Sequence, residues 1–302
     1  MLSKSHGTQH SALSTQHSAL STQHSALMLL CGRFSLPLDR PLIMGIVNVT
    51  PDSFFDGGRH ASPSAGIEHA LRLLEEGADI LDVGGESSRP GALSVSIDEE
   101  LRRVMPVVEA MRGRDVPVSV DTCKAEVMRA AIESGAAMIN DIDALQNEGA
   151  LAAVAGSNVA VCLMHKQGAP QTMQLAPSYD DVVAEVMAFL QARVAAAEAA
   201  GISRARLVID PGFGFGKTLE HNIDLLRHLN RFRALGVPLL AGLSRKAMLG
   251  RIAGLEAADE RIHASIAAAI LAVQKGARIV RVHDVRATRE ALQVVNIIEG
   301  NE

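Results

Sequence analysis

Leu42-Ile-Met-Gly-Ile-Val-Asn-Val-Thr-Pro-Asp52 is apolar for six residues and then turns polar. A strand that is apolar at nearly every position is buried on both faces, as in a parallel sheet covered by helices. The turn that follows holds no glycine, unlike the Gly-rich first turn of a doubly wound nucleotide-binding sheet. The same unit recurs along the chain. Further apolar runs lie at Asp79–Gly84, Val116–Asp121, Met138–Asp141, Val159–His165, Leu207–Asp210, Pro238–Ser244 and Arg278–His283. Gly77, Gly135, Gly156, Gly201, Gly236 and Gly276 fall shortly before six of these runs, where a left-handed residue ends a helix.

Helix signals fill the intervals. Ser62-Pro63 reads as an N-cap with proline in the first turn, and Ser96 with Glu99 as a capping box. Ala195–Ala200 and Ala267–Leu271 are strong helix formers. Eight strand–helix units over about 260 residues predict an α/β fold, a single (β/α)8 TIM barrel.

Outward from that core, composition narrows the class. The 302 residues are 48% hydrophobic and 21% charged, with a net charge of −5 and no dense basic run. A general nucleic-acid footprint is thereby excluded. No apolar run approaches the ~18 residues that span a bilayer, and Ala26–Cys31 is too short for a signal-peptide core. Three cysteines, Cys31, Cys123 and Cys162, have no metal-ligand spacing and fit a reducing interior. The expected location is the cytoplasm.

Residues 7–27 hold a seven-residue unit three times, the last two copies reading Ser-Thr-Gln-His-Ser-Ala-Leu. One large apolar residue per unit is too little for a coiled-coil seam. We therefore divide the chain into a polar, disordered extension at 1–27 and the barrel at 28–302.

In parallel β/α units every strand's C-terminal end lies on one face, where barrel active sites are built. Those ends carry Asn48, Asp52, Glu86-Ser87-Ser88-Arg89, Asp121, Asn140-Asp141, His165-Lys166, Asp210, Ser244-Arg245-Lys246, Arg281 and His283. Asp141 and Asp143 read as turn residues, Ser87 as a cap and Lys166 as a solvated loop residue. His69, His221, His228 and His263 lie on helical stretches and read as surface or packing residues. Asp121 and Asp210 end apolar runs, and buried carboxylates need partners such as Lys246 and Arg281. Gly212-Phe-Gly-Phe-Gly-Lys-Thr218 is not a phosphate-binding P-loop, because the first glycine of that motif would fall at Pro211. It reads as a tight loop that lets Phe215 lie against a flat ligand. Arg89, Arg245, Lys246, Arg281 and His283 on one rim point to a phosphate or pyrophosphate group.

Several of these segments together resemble the dihydropteroate synthases. They are Met44–Phe54, Asp82-Val-Gly-Gly-Glu-Ser-Ser-Arg-Pro-Gly-Ala92, Ser119–Thr122, Asn140-Asp141, Leu163–His165, Asp210–Lys217, Ser244–Lys246 and Arg281–Asp284. The resemblance spans about Arg33 to Ile298. It implies an enzyme of folate biosynthesis, a transferase and sulfonamide target. The implied reaction joins 7,8-dihydropterin-6-ylmethyl pyrophosphate to 4-aminobenzoate. By the same resemblance Asp121, Asn140, Asp210 and Lys246 hold the pterin, with Met164 beside it and Arg281 over the ring. Asn48, Ser88, Arg89, Arg281 and His283 bind the pyrophosphate, with Mg²⁺ held partly by Asn48. Phe54, Pro90, Phe215, Ser244 and Lys246 flank the aminobenzoate, and Asp52 stabilises a positive carbon. A homodimer through late helices is also implied, where Ala264–Val273 is apolar nearly all round. Phe55 and Ala247 stand where the family commonly has Ser, and Ser88 where it has Thr. A pterin-dependent methyltransferase domain would not need Ser88, Arg89 and His283. A non-catalytic pterin-binding protein would be expected to lose Asp52 and Arg89 first.

Overall fold

The apolar run at residues 42–48 is a strand along its whole length, buried at every position but the last. The computed structural model describes residues 27–50, 63–89 and 91–299. In chain order its strands are β1 Met28–Cys31, β2 Phe34–Pro37, β3 Leu42–Asn48, β4 Ile80–Gly84, β5 Val118–Asp121, β6 Met138–Asp141, β7 Ala160–Met164, β8 Leu207–Asp210, β9 Leu240–Ala241 and β10 Ile279–Val282. The helices are α1 Pro63–Glu75, α2 Ile97–Met111, α3 Ala125–Ser134, α4 Ala150–Ala155, α5 Val182–Ala199, α6 Leu219–Arg227, α7 Ala247–Ala253, α8 Ile262–Gln274 and α9 Val285–Ile298.

Strands β3 to β10 pair in parallel in the order β8-β7-β6-β5-β4-β3-β10-β9. A parallel bridge between Ile209 and Leu239 joins the two ends, so the sheet is a barrel with helices between its strands. The expected strands agree within a few residues. Pro238–Ser244 is the exception: only Leu240 and Ala241 pair as strand, and the ladder to β8 shrinks to that bridge.

Side chains alternate across each strand. Val47, Val83, Val120, Ile139, Leu163 and Ile209 point outward and pack with the helices in one large core. Met44, Ile80, Met138, Ala160, Val208, Leu240 and Ile279 point inward and form a second cluster.

That inner cluster includes an element the sequence did not suggest. β1 and β2 form an antiparallel hairpin, and Leu29, Cys31 and Leu38 pack into the barrel's lower end. Cys31 Sγ donates to the Ala137 carbonyl and Gly32 N–H to the Asn158 carbonyl, both just before barrel strands begin. The short run Met28-Leu-Leu-Cys31 is apolar because half of it plugs the barrel.

The glycine pattern holds at five of six sites. Gly77, Gly135, Gly201, Gly236 and Gly276 have positive φ, whereas Gly156 sits at −80°. Ser96 accepts from the Glu99 N–H at 3.2 Å, but Glu99 does not return the bond. Its carboxylate takes Arg102 and Arg103 instead, so the predicted capping box is half formed. Thr218 and His221 make a complete box at α6 that no Glu or Gln announced. The repeats at 7–26, with Asp52, Phe54, Phe55, Ser62 and Pro90, lie outside the described residues.

Candidate active site

Two residues above the apolar layer, the same inward face turns polar. Asp82 follows Ile80, Asn140 follows Met138, Asp210 follows Val208 and Arg281 follows Ile279. Arg281 is the hub. Its Nε donates to Asp82 Oδ2 at 2.6 Å and its Nη2 to Asp121 Oδ2 at 2.9 Å. Asn140 Nδ2 also donates to Asp82 Oδ2, at 3.1 Å. Asp82 is fully buried, and its Oδ1 has no hydrogen-bond partner among the described residues. With Asp121 ionised, two carboxylates on one guanidinium leave the group one negative charge in excess. Burial pushes the Asp121 carboxyl up to about 7 even against the pull of Arg281. Burial alone would weaken Arg281, but Asp82 and Asp121 hold its guanidinium above the ordinary range.

A second pair faces this hub across Gly242. A side chain on Gly242 would begin 3.8 Å from Asp210 Oδ2, 3.9 Å from Lys246 Nζ and 3.9 Å from Arg281 Cβ. The glycine therefore leaves open the floor on which these groups converge. Asp210 Oδ1 accepts from Gly212 N–H at 2.7 Å, and burial raises its carboxyl against the opposing charge of Lys246. Lys246 Nζ donates to the Phe213 carbonyl and stands 4.8 Å above the Phe215 ring. Burial pulls its ammonium down to about 8, with Asp210 acting in the other direction. Met164 is buried beside Gly212. Asp121, Asn140, Met164, Asp210, Phe215, Lys246 and Arg281 thus share one mouth.

The third side holds groups suited to an anion. Ser244 Oγ lies 3.0 Å from His283 Nδ1 and accepts from the His283 N–H at 3.2 Å. Burial, then the nearby arginines, push the His283 imidazole down to about 3, so it is neutral and offers one N–H. Asn48 ends β3 near Asp121, both bordering Gly84. Ser88 is half-buried and Arg89 exposed on the loop after β4.

The rim is less cationic than its sequence. Arg245 forks onto Asp284 at 2.6 and 3.0 Å, its N–H donates to Ser265 Oγ, and its φ is +58°. It braces the loop after β9. Lys166, read as solvated, pairs with Asp143 at 2.5 Å. Glu86 pairs with Lys124, which also reaches buried Glu100, and so anchors the loop that carries Ser88 and Arg89. Asp141 is a turn residue as expected, accepting from the N–H groups of Asp143 and Leu145 at 2.7 Å each.

Two residues went unassigned in the sequence. Asp82 sits inside an apolar run, and a charge there required a partner cation. Lys217 is 3% exposed yet pairs with no carboxylate among the described residues. Its Nζ lies against His165 Nδ1 and the carbonyls of Gly212 and Phe215, and burial pulls it down to about 7.

Among the described residues no group of three or more His, Cys, Asp or Glu could hold a metal ion. No described helix is long and apolar enough to cross a membrane.

A family model described as pterin binding enzyme matches residues 44–283. The chain is 52% identical over 262 residues to dihydropteroate synthase of Escherichia coli (strain K12), spanning 86% of this chain and 93% of that protein. Xanthomonas albilineans dihydropteroate synthase with 4-aminobenzoic acid aligns at TM-score 0.86 and 55% identity, covering 91% of this chain and 99% of that one. A structure of dihydropteroate synthase from the same organism in complex with 7,8-dihydropteroate aligns at 0.81 and 51% identity, with the same coverage.

Proposed function

The chain belongs to the pterin-binding enzyme family, and from that premise we propose how its barrel mouth works as a dihydropteroate synthase. The reaction joins 7,8-dihydropterin-6-ylmethyl pyrophosphate to 4-aminobenzoate, releasing pyrophosphate and forming 7,8-dihydropteroate in folate biosynthesis. One observation carries the assignment to residues. Asp210 and Lys246 converge with Arg281 at Gly242, and Arg281 links them to Asp121 and, through Asp82, to Asn140; the cluster offers both acceptors and donors, and a flat heterocycle with a polar edge needs both kinds. Met164 packs beside the pterin and Arg281 lies over it.

The pterin methylene–oxygen bond breaks first, and its electron pair leaves with pyrophosphate. The methylene carbon becomes positive, conjugated with the ring. The carboxylates of Asp82 and Asp121, held on Arg281, favour that charge while Asp121 is ionised. The aniline nitrogen then forms the carbon–nitrogen bond, and the proton it sheds passes to the released pyrophosphate or to solvent. Phe54, Pro90, Phe215, Ser244 and Lys246 flank the aminobenzoate, and by the same reading this subsite is a sulfonamide target. Ser88, Arg89, Arg281 and the neutral His283 donate to the pyrophosphate. Excluding water protects the positive carbon. Asp52 is assigned to stabilise it, so Asp52→Ala should lower turnover far more than pterin affinity; equal losses would overturn that role.

Asn48 supplies one amide oxygen, and among the described residues no carboxylate cage surrounds it. That donor set fits Mg²⁺, which takes most of its ligands from phosphate oxygens and water. Bound there, Mg²⁺ would neutralise charge on the departing pyrophosphate. Pyrophosphate release that depends on 4-aminobenzoate tests the whole reading. No release with both substrates and Mg²⁺ present would overturn it.

Leu271 on α8 and Val294, Ile297 and Ile298 on α9 are exposed apolar side chains on two packed helices. They support a homodimer through this face, and a monomeric mass in light scattering at micromolar concentration would refute it. Three unpaired cysteines support action in the reducing cytoplasm.

A further inference from the structure

The loop from Gly212 to Gly216 has no ladder of its own. Its three glycines have φ of +69°, +79° and +62°. Side chains on Gly212 and Gly216 would begin 1.9 Å from the His165 carbonyl oxygen and 2.2 Å from that of Gln167. The loop is therefore pressed against the segment that follows β7. Each of its five carbonyls accepts from a side chain. Gly212 and Phe215 accept from Lys217 at 2.9 and 3.0 Å, and Gly216 from the Tyr179 hydroxyl at 2.8 Å. Phe213 accepts from Lys246 and Gly214 from Gln174.

Lys217 is the centre of this arrangement. An ammonium has three N–H groups. Two serve the Gly212 and Phe215 carbonyls. The third faces His165, whose Nδ1 is at 2.9 Å and whose carbonyl is at 3.3 Å. His165 is itself buried and held neutral, edge-on to Phe189 at 4.9 Å. Burying an ammonium without a carboxylate is costly. No apolar residue could fill these acceptors, and leaving them empty would release the loop. Phe215, half-buried on that loop, is the aromatic face assigned above to aminobenzoate.

We propose that Lys217 is a positioning residue for the 4-aminobenzoate subsite, fixing through backbone carbonyls the loop shape that presents Phe215. This rests on the placement of aminobenzoate against Phe215. Lys217 touches no substrate and acts through the loop. Gln174 and Tyr179 assist from the segment after β7, so that segment takes part in recognising the second substrate. The pterin has its own fixed groups in Asp121, Asn140 and Asp210. Removing Lys217 should therefore damage one substrate more than the other.

The test compares Lys217→Met with Phe215→Ala in the full chain. The Michaelis constant for 4-aminobenzoate, turnover, and pterin pyrophosphate affinity are each measured. Lys217→Met should raise the aminobenzoate constant about tenfold, with pterin affinity changed less than about threefold. If Phe215→Ala raises that constant and folded Lys217→Met leaves it within about twofold, the proposal falls. Equal weakening of both substrates by Lys217→Met also overturns it, since that marks general loop damage. An unchanged aminobenzoate constant in Phe215→Ala sinks the subsite assignment itself, and the proposal with it. Should Lys217→Met fail to fold, the double variant Gln174→Ala/Tyr179→Phe decides. A rise of about threefold or more in the aminobenzoate constant supports the proposal, and no rise overturns it.

Discussion

Ile80 and Asp82 lie on one strand, face the same interior and are two residues apart. So are Met138 and Asn140, Val208 and Asp210, and Ile279 and Arg281. At about 3.3 Å per residue, less than 7 Å separates an apolar layer from a charged one. The lower layer is apolar, buried and closed off by the hairpin residues Leu29, Cys31 and Leu38. The upper layer holds three carboxylates, a guanidinium and an ammonium, and the buried Asp82 Oδ1 has no partner among the described residues. A buried ionic network seldom adds stability over an apolar core. The lower layer therefore stabilises the barrel, and the upper layer draws on that stability to hold reactive groups in place.

The largest effect should come from Asp82→Asn. The amide keeps the volume and an acceptor for Arg281, but removes a charge from the group that holds Arg281 against the pterin. Asp121 is then the one remaining anionic partner of Arg281 among the described residues, and Asn140 loses its anionic acceptor. We expect kcat/KM to fall about 100-fold, because small displacements of positioned groups cost that much. Stability should change by only about 1 kcal/mol. Urea unfolding with steady-state kinetics reads both. Full activity in this variant would erase the division between layers.

The converse changes belong below. Met138 and Leu29 are fully buried in the lower layer. Met138→Ala or Leu29→Ala should each cost about 2–5 kcal/mol in urea unfolding. Turnover should stay within about threefold of the parent at a temperature where the variant is folded. Loss of turnover in Met138→Ala comparable to that in Asp82→Asn would show that the layers are coupled rather than stacked.

A gentler probe uses Lys246. Its folded pKa is lowered to about 8, so its ammonium is present below that pH and lost above it. Pterin affinity should fall as pH rises through about 8, by up to tenfold per pH unit. Lys246→Arg stays charged throughout, so its alkaline limb should flatten whatever its absolute rate. A limb unchanged in the arginine variant would assign that ionisation to another group.

What the sequence revealed follows the same division. Strand ends could be read because each passes from apolar to polar within the run itself, so Asp121, Asn140, Asp210, Lys246 and Arg281 stood out. Asp82 did not, since Val83 and Gly84 follow it and no sequence distance links it to Arg281, 199 residues on. The same holds for Arg245, which looked like a free cation until Asp284 was seen to take it. Pairing across a barrel depends on register between distant strands, which local pattern does not carry. The hairpin was missed for a different reason. Four apolar residues beside a polar repeat are ambiguous until the open lower end of a barrel supplies something to plug.

That hairpin fixes the smallest effect. The Leu27 carbonyl accepts from the Leu38 N–H at 2.9 Å, closing the hairpin at its open end. Our sequence division placed the boundary at 27/28, which would remove this bond. A cut before Leu27 keeps it. Leu27 and the hairpin lie at the stabilising end of the barrel, the end opposite Asp121, Asp210 and Arg281. Deleting residues 1–26 should therefore leave kcat/KM within about twofold and unfolding free energy within about 0.5 kcal/mol. Starting the chain at Met28 instead should cost about 1 kcal/mol more, the contribution of one backbone hydrogen bond. A large loss of activity on deleting 1–26, with stability intact, would place the repeat segment in the chemistry and break the separation of the two ends.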